Sequence, residues 1–366
     1  MLPYGVQQIT EKDIEAVIRA LKSKLLTTGP LVEKFEKKIS ETTAAKYAVA
    51  VSSGTAALHL ACLASGLGRG DVAIVPAISF LATANAVRYC GAEVLFCDVD
   101  PTTGLMTEET FNDAIEEATR KNLRIKVVLP VHITGRTVDL VKIKKVCASR
   151  KIKLIADSCH AIGGEYNGLP VGAARIEDMS TFSFHPIKTI VTGEGGAVTT
   201  CDEKIFQYLK KMRNHGMVRK KSKDLWVYEL HELGYNYRLT DFQCALGISQ
   251  LSRLKDTVKK RQQLVNFYNK RIEELSEHLK MPKSSSQLTR VGWHLYSPRI
   301  DFKKLGVSRR EFMKRLSEKG IGSQVHYIPI NSQPYYKKRY GYRKLFGADT
   351  YYKNTNELNS LKELLG

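Results

Sequence analysis

The sequence predicts an α/β fold: a large domain on a mostly parallel seven-stranded sheet between helices, then a smaller α+β domain. Three observations carry this. From residue 45 to 200 short apolar runs alternate with helical patterns, as parallel strands joined by crossovers require. After residue 238 the alternation gives way to a long amphipathic tract. The length of 366 residues suits two domains at about 150 residues each.

Residues 11–24 read as a helix, with Ile14, Val17, Ile18 and Leu21 on one face and Thr10 as its cap. Thr28-Gly29-Pro30 interrupts the chain, and a second helix follows over 31–40. The predicted sheet strands are 47–52, 72–76, 93–97, 126–130, 153–156, 179–183 and 196–199. Their continuous apolar character is that of strands covered on both faces. Helices are expected over 56–67, 81–90, 107–119 and 138–150. Beyond them a helical tract covers 240–280, with Phe242, Leu246, Leu251, Leu254 and Val258 as its stripe. Strands over 291–300 and 321–330 and a capped helix over 308–319 complete the smaller domain. The expected boundaries are 1–240 and 241–366, with residues 1–30 packed on the smaller domain.

Composition narrows the function. Hydrophobic residues at 43% and charged residues at 26% are ordinary for a globular chain and argue against disorder. No apolar run approaches the roughly 20 residues of a membrane span. The start, MLPYGVQQITEKD, turns polar at once, so no secretory signal is expected and the cytoplasm is. Cysteines 62, 90, 97, 147, 159, 201 and 244 are scattered and odd in number. They suit neither a disulfide framework nor a metal site. The net charge of +20 fits nucleic acid, an anionic surface, anionic substrates or plain compositional bias. Its clusters are Arg219-Lys220-Lys221, Lys259-Lys260-Arg261 and Lys337-Lys338-Arg339, and no nucleic-acid motif accompanies them.

Three segments carry chemistry. Ser183-Phe184-His185-Pro186-Ile187-Lys188, followed by Gly193-Glu194-Gly195-Gly196, puts one lysine just past a strand. Such an amine can form a Schiff base with an aldehyde cofactor, and it can equally be a solvated loop lysine. Ser52-Ser53-Gly54-Thr55 ends a strand and opens a helix, which suits a phosphate or is a plain turn. Asp157 closes the strand KLIAD, where α/β sheets place ligands; a helix N-cap is the other reading.

In that order, these segments resemble the DegT/DnrJ/EryC1/StrS aminotransferases, along nearly the whole chain from Leu2 to about Asn354. Such enzymes have the type I fold of pyridoxal 5′-phosphate (PLP) enzymes and act on nucleotide-linked keto-sugars. The opening LPYGVQQI, the stretch LTTGPLVEKFE, His160-Ala161-Ile162-Gly163-Gly164, Asn214-His215-Gly216-Met217 and residues 225–238 (LWVYELHELGYNYR) resemble the subgroup serving pseudaminic acid synthesis. The resemblance implies transfer of an amino group from glutamate to C4 of a UDP-linked 4-keto-6-deoxy amino sugar. Transfer would be ping-pong through the pyridoxamine form, within a homodimer that shares its active sites.

The resemblance also implies roles. Lys188 would bond the cofactor and move the proton at the sugar C4. Asp157 would face the pyridine nitrogen, Phe80 would stack on the ring, and His160 would contact the ring hydroxyl. Gly54, Thr55 and Ser183 would hold the phosphate, with Asn236 reaching it from the partner subunit. His215, Arg219, Arg238, His326 and Tyr327 would face the nucleotide sugar. On the residues alone Phe80 is equally a core aromatic, and His294 and His326 are buried structural histidines. A histidine replaces the lysine in relatives that dehydrate sugars, so Lys188 favours transamination.

Departures keep other readings open. The phosphate turn reads SSGT where the subgroup often has SSAT, and the Gly-rich tail reads TGEGG for TAEGG. One alternative is a 4-aminotransferase on a GDP- or dTDP-sugar, of the perosamine type. Another is a basic binder of nucleic acid or anionic surfaces with a decayed site. Residues 355–366 (TNELNSLKELLG) lack the strand-like LSLPIYP pattern of the family. They read as a short helix or a truncated end, so the smaller domain is expected to lack an edge strand.

Overall fold

The computed structural model describes residues 3–219, 226–275, 277–282, 289–355 and 357–358. Seven strands form the central sheet: β1 (Tyr47–Val51), β2 (Val72–Pro76), β3 (Glu93–Cys97), β4 (Ile125–Val128), β5 (Lys153–Asp157), then, after the hairpin β6–β7 (Glu165–Tyr166, Leu169–Pro170), β8 (Met179–Ser183) and β9 (Gly196–Thr200). Their order is β1-β9-β8-β5-β4-β2-β3. Only β9 runs antiparallel to its neighbours. It follows β8 through the loop 184–195, which holds no helix and so supplies no crossover back to the same end.

Helices cover both faces. α3 (Gly54–Ala64), α4 (Leu81–Tyr89), α5 (Glu108–Arg120), α6 (Leu140–Arg150) and α7 (Glu203–Arg213) belong to the larger part. One apolar core holds Leu58, Ile74, Val87, Phe111, Ile143 and Leu154. A second, on the opposite face, joins Phe35 and Ile39 of α2 (Pro30–Thr43) to Phe182, Phe184 and Leu251. At about 25 cal/mol per Å² of buried apolar surface, these layers dominate the stability.

The 240–280 tract is two helices, α8 (Asp241–Ser252) and α9 (Leu254–Leu275), broken at Arg253. The buried face of α8 is Cys244, Ala245, Gly247, Gln250 and Leu251, while Phe242 and Leu246 of the expected stripe are half-buried. The first helix, α1 (Glu11–Leu21), lies against α8. Its buried residues are Asp13 and Ala20. Asp13 is ion-paired to Arg253 at 2.8 Å and accepts from Gln250 at 3.1 Å. The apolar stripe expected to pack therefore faces outward, with Ile14, Ile18 and Leu21 exposed.

The remaining chain holds a third core, in which Tyr268, Ile272, Trp293, Tyr296 and Leu316 meet. Helix α10 (Arg309–Glu318) starts at Ser308 as expected, followed by α11 (Pro334–Tyr340) and α12 (Phe346–Asn354). The long strands expected over 291–300 and 321–330 are not strands. Among the described residues the ladders here are short: β10–β11 (Met217–Arg219, Tyr228–Leu230) pairs three residues, and β12 (Leu279–Lys280), β13 (Thr289–Arg290), β14 (Arg299–Ile300) and β15 (Ser323–Gln324) are two residues each. Residues 291–297 are instead a buried loop. The expected lack of an edge strand is corrected: β16 (Glu357–Leu358) pairs antiparallel with β15. Most of the segment read as a short helix or a truncated end, residues 359–366, lies outside the described residues.

Candidate active site

A cavity of about 660 Å³ opens at the carboxyl ends of the parallel strands, where such sheets bind ligands. Lys188, Asp157, Gly54, Thr55 and Ser183 all line it, as do Phe80, His160, His326 and Tyr327. Nine of the expected residues therefore meet at one place although they span residues 54 to 327.

Each is placed by a strand end or a helix start. α3 begins at Gly54 directly after β1, and its cap Ser53 accepts from the Ala56 N–H at 3.0 Å. The first turn of a helix presents N–H groups without intrahelical partners. A Cβ on Gly54 would lie 2.7 Å from the Ser183 Cβ, so in this chain a larger residue there would have to displace Ser183. Lys188 sits on the loop 184–195, closed by Phe184 N–H to Gly195 O at 2.8 Å and Thr192 N–H to Phe184 O at 2.9 Å. Phe80, at the start of α4, is 56% exposed and turned into the cavity, not into the core. Its ring centroid is 5.9 Å from that of Tyr327.

Asp157 ends β5 and is buried. It is not a helix N-cap, since a turn follows it. One carboxylate oxygen accepts from the Cys159 N–H at 3.2 Å and the other from the Thr83 hydroxyl at 2.7 Å. Burial and the charge of Asp157 push the Cys159 thiol well up, so no thiolate competes with Lys188 in the cavity.

His160 is held from both sides. Its Nδ1 accepts from the Thr134 N–H at 3.2 Å, and its Nε2 is 3.4 Å from the Tyr327 hydroxyl. Burial, then the charges of Lys188 and His326, hold its pKa well below the usual imidazole range. The ring is neutral, and an accepting Nδ1 leaves the proton on Nε2. Thr134 is in turn fixed by the loop 291–297: its carbonyl accepts from the His294 N–H at 2.9 Å. A Cβ on Gly135 would lie 2.1 Å from the Gly292 carbonyl oxygen, so only glycine allows this approach. His294 is buried, its ring centroid 4.5 Å from that of His160.

Four expected residues lie elsewhere. Asn236 is exposed and bridged to Asn214. Arg238 donates to the Asn214 Oδ1 at 2.7 Å, while His215 and Arg219 are exposed at and beside the β10–β11 ribbon. This stretch still touches the site's rim, since the Ser52 N–H donates to the Tyr237 carbonyl at 2.9 Å. Sequence reasoning missed Thr83, Ser79, Thr134 and Tyr4. The i, i+4 pair Ser79 and Thr83, at the exit of an apolar strand, was the one signal available.

Of the expected basic clusters, half-buried Arg261 donates to the Trp293 and His294 carbonyls and Arg339 is paired with Glu93, while Arg219, Lys259, Lys260, Lys337 and Lys338 are exposed. Lys220 and Lys221 lie outside the described residues. Among the described residues no helix is long and apolar enough to cross a membrane.

The chain matches the DegT/DnrJ/EryC1/StrS aminotransferase family over residues 7–365. It belongs to that family. It is 37% identical over 353 residues to the UDP-4-amino-4,6-dideoxy-N-acetyl-beta-L-altrosamine transaminase of Campylobacter jejuni, covering 96% of this chain and 90% of that one. Its structure resembles Helicobacter pylori PseC, an aminotransferase of pseudaminic acid biosynthesis, with a TM-score of 0.89 and 30% identity over 97% and 92% of the two chains. It is also similar to Spr1654 of Streptococcus pneumoniae, described as a sugar aminotransferase and solved with PLP, with a TM-score of 0.88, 26% identity and coverage of 98% and 93%. The fold is thus that of the PLP-dependent aminotransferases, the chain is a sugar aminotransferase, and PLP is its cofactor. The residues present suit that group: an amine, a buried carboxylate and a glycine-lined helix start face one cavity.

Proposed function

We propose that the enzyme moves the amino group of glutamate to C4 of a UDP-linked 4-keto-6-deoxy amino sugar, in two half-reactions at one site. The observation that carries the chemistry is the convergence of Lys188, Asp157 and the Gly54 cradle on one cavity. The similarity to the Campylobacter jejuni and Helicobacter pylori proteins supports the substrate class.

In this reading the α3 N-terminus, with Gly54, Thr55 and Ser183, binds the cofactor phosphate. Phe80 would cover one ring face, the Asp157 carboxylate would keep a proton on the ring nitrogen, and His160 would offer Nε2–H to the ring hydroxyl. When bound, PLP supplies the electron sink for a C–H bond that loses its proton. Lys188 Nζ would be the amine that holds the cofactor and, once an incoming amine takes that place, the base and acid that moves the proton at the sugar C4. His326 and Tyr327 bound the sugar side of the cavity.

The assembly is a homodimer. The exposed β10–β11 ribbon displays Val218, Tyr228 and Leu230, and α1 displays Ile14, Ile18 and Leu21, apolar surface of the kind interfaces cover. Asn236, at the foot of the ribbon, reaches the partner's phosphate, and His215, Arg219 and Arg238 serve the anionic nucleotide from the same side. Seven cysteines without disulfides suit a cytoplasmic enzyme.

The test is the purified enzyme with PLP, glutamate and UDP-, GDP- or dTDP-linked 4-keto-6-deoxy sugars, with product mass as readout. Amination of the UDP-sugar is expected. Preferential amination of a GDP- or dTDP-sugar would move the assignment to the perosamine type.

A further inference from the structure

The geometry points to Ser79 and Thr83 as positioning residues: a two-hydroxyl relay that fixes the orientation of the Asp157 carboxylate. The inference rests on the reading that Asp157 faces the cofactor's ring nitrogen.

The Thr83 Oγ1 is 2.7 Å from the Asp157 Oδ2, and the Ser79 Oγ is 2.7 Å from the Thr83 Oγ1. Ser79 and Thr83 are each at most 2% exposed, and Asp157 is 6% exposed. The direction of both bonds follows from chemistry. An ionised carboxylate only accepts, so Thr83 donates to it; the Thr83 oxygen then accepts from Ser79. The chain therefore runs Ser79 to Thr83 to Asp157. Together with the Cys159 N–H at 3.2 Å on the other oxygen, the carboxylate receives a neutral donor on each oxygen.

Donors to the charged form of an acid favour that form. A carboxylate held this way keeps a fixed accepting face toward the position proposed for the ring nitrogen, where electron withdrawal needs the proton. The Ser79 bond polarises the Thr83 hydroxyl and strengthens the next bond in line. One turn does two jobs, since Phe80, the N-cap of α4, lies between the two hydroxyl residues in the chain and lines the cavity where the ring is proposed to sit.

The experiment uses the PLP-loaded full-length enzyme and its Thr83→Val, Thr83→Ser, Ser79→Ala and Ser79→Ala/Thr83→Val variants. The readouts are the pH dependence of the bound cofactor's absorbance and the Kd for PLP. Loss of a hydrogen bond to a charged group is expected to change the proton affinity of the Asp157–ring pair about tenfold, moving the absorbance midpoint by about one pH unit. The Kd for PLP is expected to change less than about threefold, because phosphate binding is untouched. Thr83→Ser restores the wild-type midpoint. Ser79→Ala gives a smaller shift in the same direction, and none in the Thr83→Val background.

An unmoved midpoint in folded Thr83→Val overturns the relay. So does a Ser79→Ala effect of equal size with and without Thr83, which would place Ser79 in direct contact with the cofactor. Should Thr83→Val fail to fold, Ser79→Ala alone decides, since it removes one hydroxyl and adds no bulk: an unmoved midpoint rejects the relay. Asp157→Asn separates this from the parent reading. An unchanged spectrum there removes Asp157 from the ring nitrogen; a changed one with a normal Thr83→Val removes only the relay.

Discussion

The Thr134 N–H points at the Nδ1 of His160 from 3.2 Å, so a loop of the last third of the chain sets the tautomer of a cavity histidine. Thr134 has a φ of 60° and is held by the backbone of His294. Residues 291–297 thus support a wall of the cavity from behind, through Thr134 and His160.

His160 is expected to stay neutral through the working range, because burial and then the Lys188 and His326 charges lower its pKa. Its imidazole NMR signals should not titrate between about pH 5 and 8, the range in which a free histidine does. A midpoint near the ordinary value in the PLP-free enzyme contradicts this.

Acid sensitivity follows from the same physics. Burial pushes His132 down to about 4, and His160 and His294 shift the same way. The unfolded chain binds protons below its histidine value of about 6.5 while these rings refuse them. Their stability contribution is thus present above that pH and is lost as pH falls toward 4. His132 alone accounts for at most about 3 kcal/mol. The Tm should fall from pH 7 to 5, and His132→Asn should flatten the fall. A Tm that rises over this range contradicts it.

Gly54→Ala should weaken PLP binding. The new Cβ would meet the Ser183 Cβ at 2.7 Å, and overpacking of about 1–3 kcal/mol corresponds to a tenfold to hundredfold higher Kd. Ser183→Gly in the same chain should recover part of the loss. Equal PLP affinity in Gly54→Ala and wild type would show that Ser183 gives way to the new methyl group and contradict a rigid cradle.

The proposed sharing of sites between subunits predicts complementation. Lys188→Ala and Asn236→Ala should each lose activity. Mixed and reassembled in equal amounts, they should regain about a quarter of the wild-type sites, because half of random dimers are mixed and each has one intact site. No recovery from a mixture shown to exchange subunits would place Asn236 in its own protomer's site.

The seven sheet strands were legible because each is covered on both faces and so reads as an unbroken apolar run. Residues 291–297 misled for the same reason: Val291, Trp293, Leu295 and Tyr296 are buried, but as a loop whose backbone bonds go to Thr134 and Arg261 instead of a ladder. The face of α1 was misread because its contact with α8 runs through Asp13 and Ala20, leaving the aliphatic stripe for another surface. In the site, Lys188, Asp157 and Gly54 stood out by their places at strand ends. Thr83 and Thr134 did not, since a threonine in a first helical turn or a tight turn has many ordinary uses.

The central claim is that Lys188 carries PLP and that glutamate passes its amine through it. The most direct measurement is the visible absorbance of the purified protein with PLP, before and after glutamate, beside Lys188→Ala. The account predicts a band that glutamate bleaches in the wild type and that is missing in the variant, which still binds PLP noncovalently. No band on adding PLP, or the same bleachable band in Lys188→Ala, would contradict it.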